Sequence, residues 1–115
     1  MPIITVHTSV DRRNVPASFV SETCDLIGRL LEKPNDKVLV MCHPNVCMGR
    51  GDSTTVSAFV QVKSIYKFDK TANERIAPAV TEHIHRQLSV PMDFIIVEFV
   101  EVTGSNVAFG GQLRG

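Results

Sequence analysis

The start of the chain carries the first group that could do chemistry. Pro2 follows Met1, and an initiator methionine is commonly removed when proline comes next, which would leave Pro2 with a free secondary amine. An α-amino group titrates near pH ~8 in water, and burial or a neighbouring lysine lowers this pKa because both disfavour the cation. A neutral terminal amine is suited to act as a general base or a nucleophile. Since Met-Pro is also an ordinary start to a chain, this hypothesis depends on the residues downstream.

Cysteine and histidine side chains are the next candidates. The chain has three cysteines, and an odd number excludes a complete disulfide framework. Cys42, His43 and Cys47 lie close together in the sequence, but their spacing matches no common zinc pattern and no second pair of ligands lies nearby. We therefore predict no metal site. Cys24 falls on the apolar face of a predicted helix, where a free thiol is usually core filler.

Two smaller signals indicate no function by themselves. Arg50-Gly51-Asp52 spells an integrin-type adhesion tripeptide in a predicted loop, although three-residue matches often arise by chance. His83 and His85 are two residues apart on a predicted helix, so they point to different faces. We interpret both histidines as solvated side chains rather than as ligands.

Length and composition limit the function classes. The 115 residues predict one domain that spans the whole chain, residues 1–115. Twelve basic and twelve acidic side chains cancel, which argues against nucleic acid or an anionic membrane as a partner. No stretch is apolar over a length that could span a bilayer, and the N-terminus lacks a signal-peptide pattern. We expect synthesis in the cytosol and, for any exported fraction, a route without a signal peptide.

The hydrophobic pattern predicts four strands. They lie at residues 1–8, 38–42, 56–65 and 94–102, where the chain is apolar or rich in β-branched and aromatic side chains. The second of these is predicted to be a buried strand. The tail after Thr103 could add only a very short strand near Val107.

Two amphipathic segments predict helices. A start signal at Asn14 and Pro16 opens the first, and Lys33-Pro34 ends it because proline cannot continue a helix. The second ends near Leu88. The predicted apolar stripes are Phe19, Val20, Cys24, Ile27, Leu30 and Leu31 in the first helix, and Ile76, Val80, Ile84 and Leu88 in the second.

The order strand-helix-strand occurs twice. Two such βαβ units predict an α+β fold, a four-stranded mixed sheet with both helices on one face. The last strand is largely apolar on both faces, yet helices can cover only one of them. Self-association is the economical way to cover the other.

These residues together resemble the tautomerase superfamily, specifically the macrophage migration inhibitory factor and D-dopachrome tautomerase family. The resemblance covers essentially the whole chain. Single matches are weak, but their order and spacing are fairly specific. They are the Met-Pro start, Asn14-Val15-Pro16, Lys33-Pro34, Ser64-Ile65 and Asn106-Val107.

The resemblance implies a homotrimer, keto–enol tautomerisation of phenylpyruvate- or dopachrome-type compounds, and no metal or organic cofactor. Pro2 would be the catalytic base. The substrate would be bound by Lys33, by the strand end at Ser64 and Ile65, by an apolar wall of Val107 and Phe109, and by Ile96 and Glu98 from the adjacent subunit.

The chemistry of Lys33 agrees with this role. Enolisation places negative charge on oxygen, which a lysine ammonium and a backbone N–H are suited to stabilise. A lysine close to Pro2 would also lower the pKa of the amine. The alternative is a helix-end lysine that the helix dipole favours; with the resemblance, we favour the binding role.

Several positions depart from the family pattern. The family often has tyrosine, asparagine and tryptophan where this chain has Ile96, Glu98 and Phe109. Glu98 adds an anion near a site expected to bind acids, which should weaken carboxylate substrates unless it pairs with Lys37 or another cation. A Cys-x-x-Cys pair found in the family is absent, so we reject oxidoreductase activity by that motif.

Two functions remain open. The first is a cofactor-free tautomerase that uses Pro2, with cytokine-like extracellular activity. The second is a cytokine-like immunomodulatory protein that binds a cell-surface receptor and keeps weak or vestigial tautomerase activity. We expect the protein in the cytoplasm and outside the cell. A nucleic-acid-binding module is disfavoured by the neutral charge and by the lack of stacking aromatics on a basic strand.

Overall fold

A four-stranded mixed sheet lies at the centre of the computed structural model, which describes residues 1–115. Strand order in the sheet is β2-β1-β3-β4. Each βαβ unit contributes a parallel pair, and β1 and β3 join the two units as antiparallel neighbours. The elements are β1 Ile3–Thr8, α1 Phe19–Leu31, β2 Leu39–His43, β3 Ala58–Ser64, α2 Lys70–Leu88, β4 Ile95–Glu101, β5 Ala108–Phe109 and β6 Gln112–Leu113. The predicted α+β fold of two βαβ units is confirmed.

The core forms between the sheet and the two helices. Alternate residues of the central strands β1 and β3 are fully buried on the helix side, as a period of two requires. The predicted stripe of α2 meets them from above, and all four of its members are buried. Burying one such side chain stabilises the fold by about 1.5–3 kcal/mol, so this layer dominates the folding free energy.

The first helix begins later than predicted. Asn14 belongs to a short 3-10 turn, and α1 starts only at Phe19. The reason lies in Asp11, whose carboxylate accepts a hydrogen bond from the Arg13 N–H at 2.9 Å and caps the 3-10 turn instead. The stripe of α1 also shifts, because Val20 is exposed and Thr23 is buried in its place.

The helix-free face of the sheet is uncovered and carries exposed apolar side chains among polar ones. On β2 only Val40 is well buried toward the helices, while Leu39 and Met41 are 50% and 37% exposed. The prediction of a fully buried second strand is therefore wrong for the single chain. On β4 Ile96 is 53% exposed on this same face. The chain alone offers nothing to cover these side chains.

The end of α1 depends on a glycine. Glu32 adopts a left-handed conformation (φ 56°), and the Lys33 N–H returns to the Gly28 carbonyl at 2.8 Å. A Cβ on Gly28 would lie 2.7 Å from the Lys33 carbonyl oxygen, a backbone atom that has to move to make room. Gly28 thus lets the chain fold back at the point where Lys33 stands.

The histidine prediction is wrong for His83. This side chain is only 7% exposed, stacks on Phe19 with ring centroids 6.1 Å apart, and lies 2.9 Å from the Thr23 hydroxyl. Because the hydroxyl donates its hydrogen to the Phe19 carbonyl, it accepts from His83, which therefore carries its proton on Nε2. The hydrogen bond from His83 to Thr23 thus joins α2 to α1. Burial, and then the positive charge of Arg86, lowers the pKa of His83.

This pKa shift predicts a loss of stability in mild acid. With its folded-state pKa below the ordinary value of about 6.5, His83 binds more protons in the unfolded chain, so the free energy of unfolding falls as pH drops through and below that value. His83→Gln keeps an N–H donor and cannot titrate, and we expect it to flatten the pH dependence between pH 7.5 and 5. Chemical denaturation at a series of pH values measures this. Identical slopes in the wild type and H83Q would refute the assignment.

Substitution of Gly28 tests the turn after α1. Glycine to alanine inside a helix normally adds up to about 1 kcal/mol of stability. Here the clash with the Lys33 carbonyl predicts the opposite sign, a destabilisation of about 1–3 kcal/mol for Gly28→Ala. Urea denaturation would show it, with the exposed Ser21→Ala as a control that changes stability by less than about 0.5 kcal/mol. A more stable G28A protein would contradict this reading of the turn.

Candidate active site

The N-terminal end of β1 holds Pro2 inside the fold. The Pro2 ring is fully buried on the helix side of the sheet, and its carbonyl accepts a hydrogen bond from the Leu39 N–H at 3.0 Å. The β1–β3 register, which pairs Ile3 with Lys63, continues to place Pro2 beside Ser64. In the described chain Met1 precedes Pro2, so the terminal amine is that of Met1 and the proline nitrogen is part of a peptide bond.

Two cations act on that terminal amine. Its pKa lies below the ordinary value of about 8, first because of burial and then because of the positive charges of Lys33 and Arg114. Lys33 is exposed and follows the fold-back after α1, and its charge acts on the amine at the start of β1. An amine whose pKa is lowered beside an ammonium group is the kind of arrangement that base catalysis at a strand terminus needs.

The end of β3 supplies a free backbone donor. Ser64 is buried, its hydroxyl accepts from the Tyr66 N–H at 3.2 Å, and its carbonyl accepts from the Val102 N–H at 2.8 Å. Ser64 therefore shapes the turn rather than pointing a free hydroxyl at a ligand. The next N–H, that of Ile65, makes no hydrogen bond within the chain, and the Ile65 side chain is partly exposed. It is available to an oxygen of a bound molecule.

The tail forms a small hairpin beside this end of the sheet. The predicted short strand near Val107 exists as β5, and it pairs with β6. Val107 is partly buried and Phe109 is about half exposed. The Lys37 ammonium and the Arg114 guanidinium lie over the Phe109 ring, 5.4 Å and 5.8 Å from its centroid.

Ile96 and Glu98 lie elsewhere in the single chain. Both are on the helix-free face of β4, level with Phe59 and Gln61 of β3, whereas Pro2 faces the helices. The Glu98 carboxylate accepts a hydrogen bond from the Gln61 amide at 3.0 Å and has no cation partner in the chain. One chain therefore does not bring these two residues to Pro2.

Arg114 is the residue that sequence reasoning missed. It lies in a glycine-rich tail without periodicity, where a lone basic residue gives no signal. Its position near the N-terminus follows from the way the tail folds back, which the sequence pattern does not show. No group of three or more histidine, cysteine or acidic side chains converges as metal ligands, and no helix is long and apolar enough to cross a bilayer.

Comparison with known proteins gives one family. The model of the family described as macrophage migration inhibitory factor matches residues 1–114. The chain is 30% identical over 111 residues to a macrophage migration inhibitory factor homolog of Trichinella spiralis, covering 96% of this chain and 97% of that protein. It is 26% identical over 112 residues to the Xenopus tropicalis factor, covering 97% of each.

Solved structures agree over the full fold. The factor from Trichinella spiralis superposes with a TM-score of 0.92 at 28% identity, covering 96% of this chain and 98% of that one. A homologue from Prochlorococcus marinus gives a TM-score of 0.91 at 26% identity, covering 98% and 99%. The resemblance predicted from the sequence is confirmed, and the chain belongs to the macrophage migration inhibitory factor family.

Proposed function

We propose that this protein is a cofactor-free keto–enol tautomerase of phenylpyruvate- or dopachrome-type compounds, with Pro2 as the general base once Met1 is removed. The observation that carries the proposal is the position of Pro2, fully buried at the start of β1 and beside Ser64, where the charge of Lys33 lowers the pKa of the Met1 amine that precedes it. Family membership supports a tautomerase or cytokine type of function in general. Removal of Met1 would move the amine one residue inward, to the fully buried Pro2 ring.

The reaction follows from the groups at this end of the sheet. The neutral Pro2 nitrogen takes a proton from the carbon beside the ketone, the C–H electron pair forms a carbon–carbon double bond, and the carbonyl pair moves to oxygen. The Lys33 ammonium and the free Ile65 N–H stabilise the resulting oxyanion and the carboxylate beside it. The Pro2 nitrogen, which now holds the abstracted proton, gives it to that oxygen, so that the enol forms and the neutral base is regenerated; the reverse sequence restores the ketone.

The proposal includes a homotrimer. The exposed apolar side chains on the uncovered face of the sheet support self-association, because Leu39, Met41 and Ile96 would otherwise remain in water. A neighbouring subunit would then bring Ile96 and Glu98 to the site, while Val107 and Phe109 of the first chain form the apolar wall. Ser64 would act by holding the turn that presents the Ile65 N–H.

Pro2→Gly tests the base directly. We expect tautomerisation of phenylpyruvate to fall at least about 100-fold, because the replaced ring no longer fixes a secondary amine in the strand. The assay needs protein whose intact mass shows that Met1 is absent, and circular dichroism to show that the fold persists. Equal rates in wild type and P2G would exclude Pro2 as the base.

A second candidate function is favoured by Glu98. This unpaired anion on the surface expected to line the site disfavours acid substrates, which suits a cytokine-like protein with vestigial activity that binds a cell-surface receptor. The same P2G protein separates the two functions. Receptor binding that survives in P2G, with a wild type that turns over neither substrate, would favour the second. Absence of the protein from the medium of cells that express it would count against it and against export without a signal peptide.

Removal of the Lys33 charge tests its two roles together. Lys33→Met should raise KM for phenylpyruvate by about tenfold, since a charge-assisted contact to the carboxylate is lost. The substitution should also move the increase of kcat/KM with pH to higher pH, because a neighbouring cation no longer lowers the pKa of the amine. Lys70→Met, on α2, serves as the control. An unchanged pH profile in K33M would show that Lys33 does not act on the base.

A further inference from the structure

Three cations on the side of the molecule that holds the proposed site make no ion pair with an acidic side chain. Lys33 acts on the terminal amine, and Lys37 and Arg114 lie over the Phe109 ring. The ion pairs of the chain are Arg13–Asp11 and Lys70–Glu74, and none of the three cations belongs to either. A monoacid substrate needs one of these charges at its carboxylate. Two cations are left over.

The backbone holds Arg114 in place. Its N–H donates to two carbonyl oxygens, that of Val107 at 3.0 Å and that of Gly104 at 3.2 Å. Gly104 packs so closely on the tail that a Cβ there would lie 3.0 Å from the Cα of Gly115. The guanidinium therefore stands beside Phe109 because the hairpin turns back on residues 104–107, and it does not belong to a loose end.

Charge balance indicates what these cations would bind. Lys33 is assigned to the carboxylate beside the ketone in the proposed reaction, and Lys37 and Arg114 lie together at the Phe109 ring. Two cations at one aromatic ring suit a second carboxylate on the same substrate. Arginine is also the side chain whose planar fork pairs with a carboxylate through two parallel hydrogen bonds.

We propose that the site selects aromatic 2-oxo acids that carry a second carboxylate on the ring, remote from the reacting carbon, and that Arg114 with Lys37 binds this distal carboxylate. The proposal rests on the proposed function, since it assigns Lys33 to the carboxylate beside the ketone. Phe109 contributes the aromatic surface between the two charged ends. Arg114 is thus a specificity-determining residue.

The alternative for these contacts is structural. A cation over an exposed aromatic ring also stabilises the tail by itself, by about the energy of a weak hydrogen bond. In that case removal of Arg114 would lower the melting temperature and affect all ligands alike. Ligand selectivity distinguishes the two roles.

The test uses two ligands that cannot enolise, cinnamate and 4-carboxycinnamate, so that binding is measured apart from turnover. Isothermal titration calorimetry on wild-type protein lacking Met1 should give a Kd for the diacid at least about tenfold lower than for cinnamate. Arg114→Met should remove this preference while changing the Kd of cinnamate by less than about threefold, and Arg114→Lys should restore part of it. Arg12→Met, at the opposite end of β1, is the matched control and should keep the full preference.

Several results would overturn the proposal. Equal affinity of the wild type for the two ligands, no binding of either, or an equal loss for both in R114M would each do so. Turnover assays separate this proposal from the tautomerase proposal. Selective diacid binding without turnover of phenylpyruvate or its 4-carboxy derivative would leave the Arg114 site standing and refute the enzyme. Turnover of both compounds with equal kcat/KM would support the tautomerase proposal and refute the Arg114 site.

Discussion

Pairing of β1 on both sides is the constraint on which the rest of the structure depends. The strand lies between β2 and β3, and the hydrogen bond from Leu39 to the Pro2 carbonyl extends this pairing to the second residue of the chain. A terminal segment is ordinarily mobile in solution. Here the sheet fixes it, and its alternate side chains form the centre of the core. The position and the desolvation of the terminal amine both follow from that placement.

Hydrophobic periodicity was enough to predict the fold, because four strands and two helices bury side chains with clear periods of two and of three to four. Local capping was not predictable to the same degree. The Asp11 carboxylate accepts a hydrogen bond from the Arg13 N–H and caps a 3-10 turn near Asn14, so α1 begins later. His83 could have been found, since it lies three residues after Val80 and thus on the buried side of α2. Because histidine is polar, it was not counted with the apolar residues that marked the buried side of the helix.

The site was predictable in part. Pro2, Lys33 and the Ser64-Ile65 turn come together at one end of the sheet, and the order of elements places them there. Arg114 was missed because its position depends on a hairpin of glycine-rich sequence whose contacts are not periodic. Ile96 and Glu98 face away from Pro2, because successive residues of a strand alternate between the faces of a sheet. Their part in any site depends on a second chain, and no pattern within one sequence fixes how two chains meet.

The proximity of the two ends of the chain has a practical consequence for handling the protein. The positive charge of Arg114 lowers the pKa of the Met1 amine, so Met1 and Arg114 lie at the same edge of the molecule. A purification tag fused before Pro2 would therefore acylate its nitrogen. A tag fused after Arg114 would lie next to the candidate site and could disturb the contacts of the hairpin with residues 104–107. The loop between β2 and β3 lies at the far edge, where β1 and β2 both end. A fluorophore or affinity handle inserted there would leave the reactive edge of the molecule in its natural state.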